Sequence, residues 1–175
     1  MRWAILLIPL LFLGCIQNVT TEEKTKNITS NSTAELKSLI LRNPDEYLYP
    51  FDGFSYDNVS VKVEGSYIYV TAKCSELEGE DTYLFVNDNG TLILKSYCLE
   101  VLPESVKLEA VSIAMSNETI AKNANGFVTV RRILPQTSAK FYKPKELFSV
   151  TWHGSKIVSA LVDLDEKTVV KVWMG

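Results

Sequence analysis

One histidine and three cysteines are the residues of this 175-residue chain best suited to nucleophilic or metal chemistry. His153 stands between Trp152 and Gly154, at the tip of a predicted hairpin. A catalytic imidazole needs a nucleophile and an orienting acid beside it. No Gly-x-Ser-x-Gly segment offers one, so His153 reads as a turn residue and Trp152 as core. Cys74 and Cys98 form no Cys-x-x-Cys pair, and a single histidine cannot complete a zinc set. With Cys15 used elsewhere, they read as a disulfide closing a loop of about 25 residues, worth about 3 kcal/mol. Glu76, Glu78, Glu80 and Asp81 share a loop that lacks the Asp/Asn ladder, glycine and closing glutamate of a calcium site. That loop reads as solvated. Asp163 and Asp165 read as turn chemistry, because nothing sets their spacing against a substrate. Gly-rich phosphate loops and His-Glu-x-x-His are absent. The chain is therefore read as non-enzymatic, with no cofactor and no metal.

Binding residues are the next class. Tyr47, Tyr49, Phe51, Phe54 and Tyr56 crowd ten positions. Such a segment either packs over the end of a small sheet or forms a platform for a peptide or sugar, and it is the best binding candidate in the sequence. Arg131, Arg132, Lys140, Lys143 and Lys145 read as a solvated face. Net charge is −3, or −4 without Arg2. That is too mild for nucleic acid, and no basic stripe with interleaved aromatics occurs.

The amino terminus supplies an address. Trp3 to Leu13 is apolar except for Pro9. Eleven helical residues reach about 16 Å, short of a bilayer core of about 30 Å. The segment has the form of a secretory signal. Phe12 at the −3 position fails the small-residue rule for a soluble-protein cleavage site. The seam Phe12-Leu13-Gly14-Cys15 resembles a lipoprotein box, although Leu13 departs from the usual small or hydroxyl residue. The resemblance implies cleavage before Cys15, lipid on its sulfur, and a protein held at the cell membrane on the extracytoplasmic side. Residues 1–14 are then the signal peptide and residues 15–31 a flexible tether, too polar to fold. Asn18, Asn27, Asn31, Asn58, Asn89 and Asn117 all head Asn-x-Ser/Thr acceptor triplets. A signal, a lipid-bearing cysteine and these triplets together are similar to archaeal surface lipoproteins.

The elements that must position these residues follow from periodicity. "AELKSLILRN" predicts a helix ending at Pro44, with Leu36, Leu39 and Ile40 on one face. Val59, Val61 and Val63 alternate with polar residues and open a hairpin that returns as "SYIYVTAK"; "TYLFV" and "TLILKSYC" form a second about Asn87–Gly90. The order then repeats. Residues 104–124 predict two helical pieces, capped at Ser105 and Asn117. "GFVTVRRIL", "LFSVTW", "SKIVSALVDL" and "KTVVKVW" predict four strands. The fold class is α+β, with two tandem helix-plus-antiparallel-meander units at 32–102 and 103–175. One sheet shared by both halves is the alternative. Ala110, Ile113 and Ala114 in "LEAVSIAMSNETIAK", with Val162, Asp163, Val169 and Val170 in the last hairpin, resemble a PepSY-type module, although no glycine sits in that turn. The resemblance implies a small helix-on-sheet module in exported proteins, often one that binds or restrains peptidases. It implies no catalytic residue. A non-catalytic peptide- or protein-binding module is the expectation; a surface hydrolase or an envelope component is the alternative. Oligomeric state stays open.

Overall fold

The computed structural model describes residues 33–140, 142 and 144–175. The signal peptide, the tether, Cys15, Asn18, Asn27, Asn31 and Lys143 lie outside the described residues. The fold is α+β with two four-stranded antiparallel sheets. Helix α1 (Thr33–Arg42) stops at Asn43, and Pro44 opens the one-turn helix α2 (Pro44–Tyr47). Pro44 thus starts a helix, as its fixed φ and missing N–H permit at a first position. Strands β1 (Asn58–Glu64), β2 (Tyr67–Lys73), β3 (Asp81–Asp88) and β4 (Thr91–Cys98) follow in chain order across the first sheet. Helices α3 (Glu104–Met115) and α4 (Glu118–Asn123) come next. Strands β5 (Phe127–Ile133), β6 (Leu147–His153), β7 (Ile157–Asp163) and β8 (Thr168–Met174) form the second sheet, with the one-turn helix α5 (Pro135–Ser138) between β5 and β6. Among the described residues two separate sheets, with the isolated bridge Leu99–Arg132 between the units, replace the shared-sheet alternative.

Period-two alternation decides the faces. In the first sheet Ile68, Val70, Ala72, Tyr83, Phe85, Leu92, Leu94 and Tyr97 turn inward under Leu36 and Ile40 of α1. In the second sheet Val130, Phe148, Val150, Trp152, Val158, Ala160 and Val162 turn inward under Ala110 and Ala114 of α3. Trp152 is core, as its pattern predicts. Asn117 caps α4 by accepting from the Thr119 and Ile120 N–H groups. Pro103 takes the N-cap position of α3, so Ser105 lies inside that helix rather than capping it.

The expected Cys74–Cys98 disulfide is absent among the described residues. Cys74 continues the inward series of Ile68, Val70 and Ala72 and is buried. Cys98 sits opposite Thr82 on the outward side, 3.7 Å from the Glu100 carboxylate. Strand β3 separates β2 from β4, two strand spacings or about 9.5 Å, whereas bridged Cα atoms lie within about 7 Å.

Two glycines fix the tip of the second sheet. A Cβ on Gly126, at φ +87, would meet the His153 carbonyl oxygen at 2.2 Å. One on Gly154 would meet the Asn125 backbone oxygen at 2.5 Å. The Asn125 side chain completes the contact by accepting from the Ser155 N–H at 3.0 Å. Gly126→Ala is expected to cost about 2 kcal/mol, combining the left-handed φ with backbone displacement. Urea unfolding with a lowered midpoint and an unchanged slope is the check.

Candidate functional site

The aromatic segment resolves in favour of packing. Tyr47 and Tyr56 are buried, Tyr49 packs on the first core, and Phe51 packs on the second. Phe54 is half-buried and its ring lies against Phe51. Their burial agrees with the packing alternative, because both cores draw them into the seam between the units.

Sequence reasoning missed a buried polar network at this seam. Asp81 is the first residue of β3, fully buried rather than part of the solvated loop; Glu76, Glu78 and Glu80 stay exposed. Its Oδ1 accepts from the Glu100 N–H at 2.6 Å and the Val101 N–H at 2.7 Å. Its Oδ2 accepts from the Tyr56 hydroxyl. The Tyr56 and Tyr83 hydroxyl oxygens are 2.7 Å apart, and Tyr83 Oη accepts from the Tyr49 N–H at 3.1 Å. One proton order serves all of them: Tyr49 N–H to Tyr83, Tyr83 O–H to Tyr56, Tyr56 O–H to Asp81. Burial raises both phenols, so they remain protonated donors. Burial also raises the Asp81 carboxyl, against the lowering pull of its three hydrogen bonds and of Arg132.

Arg132 closes the seam from the second unit. It is buried, not solvated as its neighbours in sequence implied. Its guanidinium donates to the Pro50 carbonyl at 3.1 Å and to the Tyr49 carbonyl, lies 3.5 Å from Glu146, and sits over the Phe51 ring. Its backbone N–H donates to Leu99 at 2.9 Å. Arg131 pairs with Glu100 at 2.7 Å. Lys145 is held by Asp163 and by Glu166 at 3.3 Å, so it too is engaged. Asp163 is buried, and its Oδ1 accepts from the Glu166 N–H at 3.0 Å, which is turn chemistry. This network fastens the units together.

His153 contacts the Thr129 hydroxyl at 3.0 Å through Nε2 and stacks on Phe127 at 4.5 Å. A hydroxyl and an imidazole meet here, but among the described residues no carboxylate orients the ring. Among the described residues no group of three or more His, Cys, Asp or Glu could hold a metal ion. Asn58 and Asn89 are exposed, and Asn117 is half-buried. The cap at Asn117 uses Oδ1, which leaves Nδ2, the atom a glycan takes, uncommitted to that cap.

What remains open is the outer face of the first sheet. The register places Glu64, Tyr67, Val86 and Ile93 in one row across the strands, and Lys62, Tyr69, Leu84 and Ser96 in the next. Tyr67 is 48% exposed and Tyr69 40%. Leu84, Val86 and Ile93 are half-buried between them and the far strand. The Lys62–Glu64 ion pair at 2.6 Å borders the patch. Tyrosines over aliphatic side chains, edged by charge, have the anatomy of a protein-contact surface. The signal was legible in "SYIYVTAK", whose outward tyrosines were read only as strand residues.

Compared with family models, curated proteins and solved structures, the chain matches none. Its function is therefore argued from its own residues.

Proposed function

We propose that this chain is a membrane-anchored extracytoplasmic lipoprotein, held by lipid on Cys15, whose folded part is a PepSY-like, non-catalytic module that binds a peptide or protein. The outer face of the first sheet carries the binding reading. A flat tyrosine and aliphatic face suits an extended or flat partner surface, whereas a hydrolase needs convergent titratable groups in a cleft. The lipoprotein box carries the anchor, and the triplets at Asn58, Asn89 and Asn117 agree with an extracytoplasmic address. No described helix is long and apolar enough to cross a membrane.

A photo-crosslinking residue placed at Tyr69 of the full chain, in its native membrane, tests the binding reading. The expected result is one discrete adduct that disappears when Tyr67→Ser and Leu84→Ser are added. The same residue placed at Glu118, on α4, should give none. No adduct at Tyr69, or equal labelling at both positions, would overturn the reading.

A further inference from the structure

The far end of the second sheet carries exposed apolar side chains on both of its faces. Phe127 is 67% exposed, Ile157 45% and Trp173 40%; these share the outer face with His153, as the pairs Phe127–His153, His153–Ile157 and Ser159–Trp173 require. Val128 and Met174 are exposed on the opposite face, beside Trp152 and Val158. All five lie at one end, where β5 and β7 begin and β6 and β8 finish. The glycine contacts at Gly126 and Gly154 hold that end in shape.

Its charge has one sign. The four strands of this sheet, with β7 counted up to Val162, the segment 120–126 that leads into them and the turn 154–156 contain no Asp or Glu although the whole chain is acidic. Lys156 stands in the β6–β7 turn and Lys171 lies over the Trp173 ring at 5.2 Å. Neither has an acidic partner among the described residues. An extended peptide reaches one face of a strand end at a time. A lipid interface surrounds a projecting tip and contacts both faces together. Aromatic and aliphatic side chains with lysines beside them match the headgroup boundary of an anionic bilayer.

We propose that this tip, formed by Phe127, Val128, Ile157, Trp173 and Met174 with Lys156 and Lys171, inserts into an anionic lipid surface. The insertion gives the tethered module a second, reversible membrane contact and fixes its orientation. It rests on the anchored reading for its tether and is independent of the binding face on the first sheet.

The test uses the full chain carrying Trp3→Phe, so that emission comes from Trp152, which is buried, and Trp173. Vesicles contain acyl-brominated phosphatidylcholine, with or without about one third phosphatidylserine. Insertion gives quenching of Trp173 by the brominated chains in the anionic vesicles, and Trp173→Phe removes the quenchable component. Each lysine near an anionic surface contributes a factor of about five, so Lys156→Glu with Lys171→Glu should lower the quenched fraction more than fivefold. Flotation with the vesicles, scored beside quenching in every variant, separates loss of tip insertion from loss of amino-terminal attachment. Trp173 emission that stays open to aqueous iodide and insensitive to brominated lipid would overturn the proposal. So would protection from iodide that rises with protein concentration without brominated-lipid quenching, which marks a second copy as the occupant.

Discussion

Asp81→Ala is expected to lower stability by about 4 kcal/mol, because it strands two backbone N–H groups and a phenol in a closed seam. For a fold of this size that is a fall of about 10 °C in Tm. Asp81→Asn should cost only about 1 kcal/mol. Its amide oxygen can still accept from the Glu100 and Val101 N–H groups, while Tyr56 turns its proton to the Tyr49 carbonyl, 3.1 Å away. The ordering Asn far above Ala is the signature of hydrogen-bond acceptance rather than charge. A pH series separates the charge. Burial raises the Asp81 carboxyl above its ordinary 3.8 in the folded state, so the folded chain binds that proton more tightly than the unfolded chain does. The stability this contributes is full below about pH 4 and is lost as pH rises through the raised native value. The Tm advantage of the natural chain over Asp81→Asn should therefore shrink from acid to neutral pH. An advantage that grows over that window would contradict the raised carboxyl.

The second large effect belongs to Arg132. Arg132→Ala should cost about 4 kcal/mol: it empties a packed volume, removes the donor to the Pro50 carbonyl and one of two donors to the Tyr49 carbonyl, and leaves Glu146 without the Arg132 cation. Arg132→Met keeps the stem packing and should cost less, although the Pro50 carbonyl still loses its Arg132 donor. Glu146→Gln should then be stabilising in the Arg132→Met background and destabilising in the natural one, a sign reversal that a double-mutant cycle reads directly. Additive effects would mean that the 3.5 Å approach carries no coupling.

Both residues show where the sequence stops speaking. The meanders were legible because alternation and turn residues agree at each hairpin: Gly65 and Gly90 take positive φ where the turns were placed. Asn117 was legible as a cap because its amide oxygen accepts from N–H groups two and three residues on, a purely local arrangement. Arg132 was half legible. It shares parity with the core residue Val130, but charge outweighed parity in the reading. Asp81 was hidden by its acidic neighbours, since one residue separates an exposed loop from an inward strand position. The cysteines failed for a sharper reason. Simple alternation from Leu92 and Leu94 points Cys98 inward, toward Cys74. The register shift opposite Leu84 and Phe85 adds Lys95 to the strand, so Tyr97 turns inward and Cys98 outward. One inserted residue reverses every face beyond it. The aromatic cluster was legible only as a pair of alternatives: density of aromatics marks either a platform or a seam, and the second core, reaching back for Phe51, favours the seam.

The proposed function rests on an anchored module, and intact mass of the membrane-extracted protein tests that most directly. The expected chain begins at Cys15, lacks residues 1–14, carries the added mass of lipid on that cysteine, and shows hexose-type increments for each occupied Asn-x-Ser/Thr site. A mature chain that begins elsewhere, with Cys15 free and no lipid, would contradict it.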